Sequence, residues 1–449
     1  MDHKLPDWVR HAVFYQIFPD RFRRDAAPWP ENAHLCSGRK PCNGNLRGIL
    51  HSIPYLERLG ITALYLTPIF HAGSYHKYDT IDYYTIDPCF GDNETFGRLV
   101  NELHKRDIRI VLDGVFNHCS DRHPFFEDAM KNGLGSAHWD WFNIRGDRVV
   151  RGTNANYARW AGVETMPEWN HENPAVAEYL LSVVRHWIAE YGIDGWRLDT
   201  TEYLPPDFVR AIYDTARAAG PDTYVLGEVM GLGTPWFRHH ALDGVMHYKL
   251  WEGLVAFLAQ EIWDARTFAW SVYSHWHSYP EDANYGSYTL LSSHDKPRFL
   301  TQCHGDIRRL RLAFALQFTF PGSPAIYYGD EIGLEGGDDP DNRRCFPWNE
   351  SLWNQELFAE VQSLVRLRRT HVALRTGSVG LVKARDRFLV FHRTLDADRF
   401  LIAINASPDR EETFAPSDGS WIDALTNQKA ERALCLPPLS YRILRQVSD

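Results

Sequence analysis

The sequence predicts an α/β protein: a (β/α)8 TIM barrel with a small lobe inserted after its third strand and a C-terminal antiparallel β domain. Short apolar runs alternate with amphipathic helical stretches over most of the 449 residues. One connection between two of these runs is much longer than a single helix requires. From about residue 376 the pattern changes to the apolar–polar alternation of antiparallel strands.

Eight apolar runs, rich in Val, Ile, Leu and Tyr, are typical of buried parallel strands. They are AVFYQIF (12–18), ITALYLTPI (61–69), IRIVLDGVF (108–116), IDGWRLD (193–199), TYVLGEV (223–229), DGVMHY (243–248), SYTLLSSHD (287–295) and SPAIYYGDE (323–331). Eight strands alternating with helices favour a closed barrel, although a doubly wound open sheet also accommodates eight.

The segment 178–192 is typical of the predicted helices. Its apolar residues recur on one face at helical spacing: Leu180, Val183, Val184, Trp187, Ile188 and Tyr191. Gly192 follows as a helix-terminating residue. Residues 95–106 and 306–319 have similar patterns, so we expect helices there too.

Two segments depart from this alternation. Residues 118–172 are loop-like and rich in Gly, Asn and Trp, and a connection of this length is usually functional. The runs 388–394, 399–407 and 441–447 are typical of antiparallel strands. We therefore predict a catalytic barrel over 1–117 and 173–375, a lobe over 118–172 that covers one side of the active face, and a C-terminal β-sandwich domain over 376–449.

Charge and hydropathy disfavour several classes of partner. The net charge is −10 and no basic run is long enough for a nucleic-acid patch. No apolar run approaches the roughly 20 residues that span a bilayer, and the first residues lack the pattern of a secretory signal. We expect a cytoplasmic protein that binds neither nucleic acid nor membrane.

The seven cysteines are odd in number and scattered, which predicts reduced thiols in a cytoplasmic protein. His34, Cys36 and Cys42 lie close together in sequence and raise the alternative of a metal clip. No second ligand pair follows at zinc spacing, so no metal is predicted there.

Polar residues gather at the ends of the predicted strands, where active sites of barrels lie. They are Asp113, Asn117 and His118 after the third strand, Arg197 and Asp199 after the fourth, Glu228 after the fifth, His294 and Asp295 after the seventh, and His76, Tyr78 and Asp79 in the loop after the second. The carboxylates of Asp199, Glu228 and Asp295 would repel each other at one end of the barrel, so their convergence needs a chemical reason.

Glycoside hydrolysis supplies that reason, because one carboxylate attacks the anomeric carbon while a second protonates the leaving oxygen. In retaining enzymes the pair lies about 5–5.5 Å apart, a separation that adjacent strand ends can supply. Arg197 precedes Asp199 by two residues, so it faces the same side and keeps Asp199 ionised. The neighbouring negative charge would leave Glu228 partly protonated. Each carboxyl alone is more often a helix cap or an ion-pair partner; their joint occurrence favours catalysis.

Several segments resemble the signature regions of the α-amylase superfamily (glycoside hydrolase family 13). Four match in order, DGVFNH (113–118), GWRLDT (195–200), GEVM (227–230) and SSHDKPR (292–298), and MPEWN (166–170) is similar to the short fifth region. Further segments resemble the cyclomaltodextrinase, neopullulanase and maltogenic amylase group: YQIFPDRF (15–22), LYLTPIF (64–70), HKYDTIDYYTIDPCFG (76–91) and DGVMHY (243–248). The resemblance covers about residues 8–350.

The resemblance implies a role for each matching residue. Asp199 corresponds to the nucleophile, Glu228 to the acid/base and Asp295 to a third carboxylate that distorts the sugar and supports the transition state. Further residues at the cleavage point would be Arg197, His118 and His294 gripping the sugar, Tyr78 stacking on it, and Asp113 orienting Arg197. Arg343 or Arg344 would contact the same sugar, and Arg344 is the predicted contact.

The chain also departs from that group. After the nucleophile the group usually reads Val-Ala-Asn-Glu, whereas this chain has Thr200-Thr201-Glu202-Tyr203. These positions line the leaving-group side in relatives, so Glu202 is a candidate substrate contact and the preferred bond stays open. In the fifth region Glu168 and Trp169 replace the usual Lys and Leu, which makes Trp169 a second candidate. The group's extra N-terminal β domain, which helps to build its dimers, has no counterpart here, so a homodimer would use another surface.

No cofactor is expected. Asn117 corresponds to a calcium ligand in some amylases, but residues 23–45 lack the Asp/Asn-rich loop that completes such a site. A hard cation requires several oxygen ligands, and the sequence does not assemble them.

The resemblance implies a retaining hydrolase that cleaves α-1,4 or α-1,6 bonds in small linear, branched or cyclic maltooligosaccharides, including cyclic maltosyl-maltose. The alternative is a transglycosidase or a sucrose-type isomerase that uses the same site, since the carboxylates alone do not discriminate. A non-catalytic carbohydrate-binding protein is disfavoured because all three carboxylates stand beside Arg197, His118 and His294.

Overall fold

The computed structural model describes residues 4–25, 41–416 and 419–447. Its strands are β1 (Phe14–Ile17), β2 (Ala63–Leu66), β3 (Phe70–Ala72), β4 (Thr80–Ile86), β5 (Arg109–Gly114), β6 (Gly195–Leu198), β7 (Tyr224–Gly227), β8 (Gly244–Val245), β9 (Tyr288–Leu290), β10 (Ser323–Tyr327), β11 (Ser378–Arg385), β12 (Phe388–Leu395), β13 (Asp398–Asn405), β14 (Glu412–Phe414), β15 (Ser420–Asp423), β16 (Leu434–Leu436) and β17 (Ser440–Val447).

Its α-helices are α1 (Asp7–Arg10), α2 (Pro19–Phe22), α3 (Leu46–His51), α4 (Ile53–Leu59), α5 (Asn93–His104), α6 (Pro124–Asn132), α7 (Pro174–Tyr191), α8 (Pro206–Ala219), α9 (Thr234–Arg238), α10 (Tyr248–Leu254), α11 (Ala265–Ser278), α12 (Glu281–Gly286), α13 (Phe299–Gln302), α14 (Ile307–Thr319), α15 (Gln355–Thr370) and α16 (Val372–Thr376). Within the described ranges, no helix is both long and apolar enough to cross a membrane.

Eight parallel strands form the barrel wall, in the order β8-β7-β6-β5-β2-β1-β10-β9. A parallel bridge between Met246 and Tyr288 joins the two ends of this order, and the His247 N–H donates to the Tyr288 carbonyl at 2.8 Å. Every residue of β1, β2, β6, β7 and β9 is buried, because helices cover the outside of the wall and side chains fill its inside. The predicted barrel is confirmed, and the open-sheet alternative is wrong.

The three predicted helices correspond to α5, α7 and α14. Helix α7 begins four residues before the predicted start, because the Asn173 side chain accepts a hydrogen bond from the Ala175 N–H and Pro174 occupies the first helical position. It ends at Gly192, whose φ of 71° lies in the left-handed region.

The inserted lobe leaves the barrel after β5 and returns to it before α7. Its core is aromatic: Phe126 packs edge-on against Phe142 and Tyr157, and Trp169 stacks on Phe142 with ring centroids 4.9 Å apart. The backbone N–H of Trp169 donates to the Asn117 carbonyl at 3.0 Å, which joins the last part of the lobe to its first residues. This anchor holds the lobe beside the carboxyl ends of the barrel strands.

The C-terminal residues form the predicted antiparallel sheet, in the order β11-β12-β13-β17-β15, with a separate β14-β16 pair. One face has its own apolar core, which includes Phe388, Leu401 and Leu444. The other face meets the barrel, where Phe391 stacks on Phe320 with centroids 4.8 Å apart. The division of the chain after residues 117, 172 and 375 stays a prediction.

A disulfide joins Cys42 and Cys345, so the prediction that all cysteines are reduced is wrong for this pair. The two residues are 303 positions apart, and the loops after β1 and β10 meet because these strands are neighbours in the barrel wall. His34 and Cys36 of the alternative metal clip lie outside the described residues.

Candidate active site

The candidate site is a cavity of about 720 Å³ at the carboxyl ends of the barrel strands. Its lining includes the predicted residues Tyr78, His118, Asp199, Glu202, Glu228 and Asp295, together with Ser74, Tyr75, His76, Trp160, Val163, Met166, Thr200, Tyr203, Met230, Lys296, Asp339 and Arg343. The barrel thus brings together residues more than 200 positions apart in the chain.

Arg197 lies at the centre of the carboxylate cluster, on β6 and fully buried. Its Nη1 donates to Asp113 Oδ1 at 2.8 Å and to Asp199 Oδ1 at 2.7 Å. Its Nη2 lies 2.9 Å from Glu228 Oε1. The N–H groups of Nη2 do not point at that oxygen, and they make no hydrogen bond to any other acceptor among the described residues. Asp295 Oδ2 is 3.9 Å from the same nitrogen. One guanidinium therefore faces four carboxyl groups.

Thr200 connects the ends of β6 and β7. It has φ 45° and ψ 43°, a left-handed conformation that is rare for a β-branched residue and costs about 1–3 kcal/mol. In this conformation its N–H donates to Glu228 Oε2 at 2.8 Å, and its hydroxyl lies 3.3 Å from Asp199 Oδ2. Thr200 thus contacts both predicted catalytic carboxyls.

Burial raises the pKa of Asp199, Glu228 and Asp113, because a desolvated carboxylate is less stable than its neutral form. Arg197 lowers each of these pKa values in turn, and the neighbouring carboxylates raise them. For Asp113 the resulting pKa is about 6. The carboxyls of the cluster therefore bind their protons more tightly than isolated carboxyls do.

Asp113 accepts the hydrogen bond from Arg197 Nη1, and its role in orienting Arg197 stays a prediction. It also accepts hydrogen bonds from the Tyr65 hydroxyl at 2.6 Å and the Tyr78 hydroxyl at 3.0 Å. The Tyr78 ring lies parallel to the His294 ring, with centroids 5.6 Å apart, and its hydroxyl also hydrogen-bonds to His294 Nε2. These contacts hold Tyr78 at the inner end of the cavity.

The two predicted histidines are neutral. Burial lowers the pKa of His118 to about 3, and burial followed by the charges of Arg343 and Arg197 lowers that of His294 well below its ordinary value. Within the described residues His118 Nε2 has no hydrogen-bond partner, although it is buried beside the cavity. The predicted contact of His118 with the sugar stays a prediction.

The structure corrects the predicted arginine contact. Arg343 lines the cavity, donates to the His294 carbonyl at 2.9 Å and has its Nη2 3.7 Å from Asp295 Oδ1. Arg344 instead makes two hydrogen bonds of 2.8 Å to Asp341 and is not part of the lining. Arg343 is the last residue of a short 3-10 helix and Arg344 is the extended residue after it, and the sequence does not indicate which of the two side chains faces the site.

The structure also corrects Trp169 as a sugar contact. It is 1% exposed and packs inside the lobe, where its indole N–H donates to the Tyr83 hydroxyl at 3.3 Å. The aromatic residue at the cavity wall is Trp160, which stacks on His118 with ring centroids 5.4 Å apart. Sequence reasoning missed Trp160; the aromatic character of the loop was the only signal for it.

Glu202 lines the cavity, but its carboxylate also accepts hydrogen bonds from the Met230 N–H at 2.9 Å and the Gly231 N–H at 3.3 Å. Its predicted contact with substrate stays a prediction. Tyr203 beside it is 69% exposed and stands at the cavity entrance. As for metals, the described ranges contain no group of three or more His, Cys, Asp or Glu side chains arranged to hold an ion.

A (β/α)8 barrel supports many chemistries, and the carboxylates gathered around one arginine at its strand ends point to one class, the barrel glycosidases. The chain belongs to the α-amylase family, because the model of the α-amylase catalytic domain matches residues 16–363. It is therefore an enzyme, a glycosidase of that family.

Individual relatives confirm the resemblance to the cyclomaltodextrinase group. The chain is 43% identical to a cyclomaltodextrinase from Geobacillus thermopakistaniensis, over 98% of this chain and 77% of the relative. Among solved structures, it is similar to the ligand-free cyclic α-maltosyl-(1→6)-maltose hydrolase from Arthrobacter globiformis, with a TM-score of 0.90, 34% identity, and coverage of 98% of this chain and 100% of that one. A debranching enzyme from Nostoc punctiforme has a TM-score of 0.88 and 38% identity, with 99% and 100% covered.

Proposed function

We propose that the protein is a retaining hydrolase of small α-glucans that acts through a covalent glycosyl intermediate on Asp199. The observation that carries the proposal is the placement of Asp199 and Glu228 on the two terminal nitrogens of one guanidinium, facing an open cavity. A single guanidinium that contacts both carboxyls keeps them near each other, as the short separation of a retaining pair requires.

The hydrogen bonds suggest which carboxyl holds the proton. Asp199 Oδ1 accepts an aligned hydrogen bond from the charged guanidinium of Arg197. Glu228 accepts its hydrogen bond from the neutral Thr200 N–H and lies near Arg197 without an aligned N–H, and a charged donor favours the carboxylate form more strongly. We therefore assign the negative charge to Asp199 and the proton to Glu228. Burial raises the pKa of Glu228, which is the direction that a general acid requires.

In the proposed first step, Asp199 Oδ2 bonds to the anomeric carbon while the bond from that carbon to the leaving oxygen breaks. The proton of Glu228 passes to the leaving oxygen. In the second step a water attacks the same carbon and gives its proton to Glu228, and the bond to Asp199 breaks with its electron pair returning to Oδ2. Net retention at the anomeric carbon follows from the two displacements.

The cavity wall supports a small glucan as substrate. Trp160 and Tyr78 contribute aromatic rings to the cavity lining, and His118 and Arg343 contribute polar side chains. We propose that the substrates are linear, branched or cyclic maltooligosaccharides with α-1,4 or α-1,6 bonds. The names of the relatives, which include hydrolases of cyclomaltodextrins and of cyclic maltosyl-maltose, support this range.

Transfer to a second sugar, or isomerisation of sucrose, would use the same carboxylates. Glu202 and Tyr203 line the outer part of the cavity, and what they bind would decide between water and sugar as acceptor. A cytoplasmic location and a homodimer likewise stay predictions.

Product analysis tests the proposal. The purified protein is incubated with maltooligosaccharides, cyclodextrins, panose, cyclic maltosyl-maltose, pullulan and sucrose, and products are followed by NMR. We expect the α-anomer first from at least one oligosaccharide. A β-anomer would contradict retention, and conversion of sucrose to an isomer with every glucan inert would favour the isomerase alternative.

Two variants test the roles of the carboxyls. Asp199→Asn should abolish turnover while the thermal unfolding transition persists, because the nucleophile is lost and the fold is not. Glu228→Gln should reduce turnover of oligosaccharides far more than that of an aryl glycoside with a good leaving group, which needs no proton donor. Equal losses on both substrates would contradict the acid role of Glu228.

A further inference from the structure

The two oxygens of Asp199 have different partners. Oδ1 accepts the hydrogen bond from Arg197 at 2.7 Å. Oδ2 has the Thr200 hydroxyl 3.3 Å away. Because Oδ1 is held by the guanidinium, Oδ2 is the oxygen that is free to bond to an anomeric carbon, and the Thr200 hydroxyl is its neighbour.

The backbone of Thr200 holds this hydroxyl in position. Its left-handed conformation is fixed at two further points: its N–H donates to Glu228 Oε2 at 2.8 Å, and its carbonyl accepts from the Tyr203 N–H at 2.9 Å. A β-branched residue in this region of φ/ψ is uncommon, and such conformations cluster where a site depends on them. Hydrogen bonds at catalytic groups are often long without substrate and shorten during the reaction.

We infer that Thr200 is a positioning residue whose hydroxyl stabilises negative charge on Asp199 Oδ2 and thereby favours release of the sugar from the enzyme. The inference rests on the proposed retaining mechanism. In the first step Oδ2 loses its charge as it bonds to the anomeric carbon, so the hydroxyl gives no assistance there. In the second step water bonds to that carbon, a proton passes to Glu228, and the electron pair of the broken bond returns to Oδ2 beside the hydroxyl.

Thr200→Val tests the hydroxyl by removing it while leaving the rest of the residue nearly unchanged. Valine has nearly the same shape and the same β-branching, and it keeps the backbone N–H that contacts Glu228. It is also the residue that the cyclomaltodextrinase group usually has after its nucleophile. Thr200→Ser is the matched control, because it keeps the hydroxyl and lacks only the methyl group. Thr200→Ala also lacks the hydroxyl and gives the same readout if the valine variant does not fold.

The readout is the fraction of enzyme that carries a glycosyl group during steady-state turnover of para-nitrophenyl α-maltoside, measured by intact-protein mass spectrometry after acid quench. We expect Thr200→Val to raise the ratio of glycosylated to free enzyme about 5-fold, the size of effect that one hydrogen bond provides, because release slows more than attack. Thr200→Ser should return the ratio toward that of the wild type. Asp199→Asn should carry no added mass.

The outcomes separate the two proposals. An unchanged or lower glycosylated fraction in Thr200→Val would overturn the role of the hydroxyl, because a purely structural defect slows both steps together. If the wild-type enzyme releases the β-anomer first, the retaining mechanism itself fails. That result is obtained without any Thr200 variant, so the two failures are distinguishable.

Discussion

Two tryptophans of the inserted lobe, nine positions apart, have different environments. Trp160 lies at the cavity wall against His118, whereas Trp169 is buried among Phe142, Tyr83 and His123. An aromatic ring stabilises a sugar when its face is accessible, and stabilises the fold when it is buried. The sequence therefore identifies both residues as aromatic, and only their environments determine whether the ring binds sugar or stabilises the fold.

Replacing each tryptophan by alanine should separate these contributions. Trp160→Ala should lower kcat/KM for oligosaccharides about 5- to 10-fold, since one aromatic contact is worth about 1 kcal/mol, with little change in stability. Trp169→Ala should lower the free energy of unfolding by about 3–5 kcal/mol, because it leaves a cavity in the lobe. Initial-rate kinetics and urea unfolding measure the two effects. Equal effects of both variants on kcat/KM at full folding would contradict the assignment.

The adjacent arginines 343 and 344 provide a second matched pair. Arg343→Ala should lower kcat/KM about 10-fold or more, because it removes the cation that faces Asp295. Arg344→Ala should stay within about twofold of the wild type, because Arg344 forms a partly exposed ion pair with Asp341. A larger loss in the Arg344 variant would restore the original sequence prediction.

At the scale of elements, local signals in the sequence determine where helices begin and end. Gly192 terminates α7 in a left-handed conformation, and a Cβ placed on it would meet only His104 Cε1 at 3.9 Å. A substitution there should therefore lower the stability of the fold because of the backbone conformation, and not because the new side chain clashes with a neighbour. The turn at the end of α7 leads directly into β6, which carries Arg197 toward the site.

Gly192→Ala should lower the free energy of unfolding by about 1 kcal/mol, as expected for a non-glycine residue forced into the left-handed region. The control is Gly135→Ala in the lobe, where a Cβ would have no neighbour within 4 Å and φ is ordinary. That variant should stay within about 0.5 kcal/mol of the wild type. Urea denaturation compares the two, and equal values would contradict the backbone explanation.

At the scale of the whole molecule, closure of the barrel produces the site. The junction of β1 and β10 is held by buried Glu331, whose Oε1 accepts a hydrogen bond from the Tyr15 hydroxyl at 2.8 Å and another from Tyr55. Burial raises the pKa of Glu331 to about 7 from an ordinary value of 4.5. Between about pH 4.5 and pH 7, Glu331 is therefore mostly protonated in the folded protein and mostly ionised in the unfolded chain.

The sign of the resulting pH dependence is fixed by that shift. A raised pKa in the folded state contributes stability at low pH, and this contribution is lost as the pH rises from about 4.5 through 7. Glu331→Gln cannot titrate, so the stability of the wild type relative to this variant should decrease between pH 5 and pH 8. Urea unfolding of both proteins at the two pH values tests this. A constant difference would exclude titration of Glu331.

Sequence patterns alone predicted the barrel, its eight strands and the C-terminal sheet, because strand and helix periodicity is a local property of the chain. The carboxylates Asp199, Glu228 and Asp295 could be selected because they follow predicted strands, whose ends all lie on one rim. The tertiary structure decided what depends on contacts between distant loops: that Trp160 and Arg343 line the cavity, that Trp169 and Arg344 do not, and that Cys42 meets Cys345. Irregular segments have no periodicity to indicate which side chains face inward, so their contributions are determined only when the loops pack against one another.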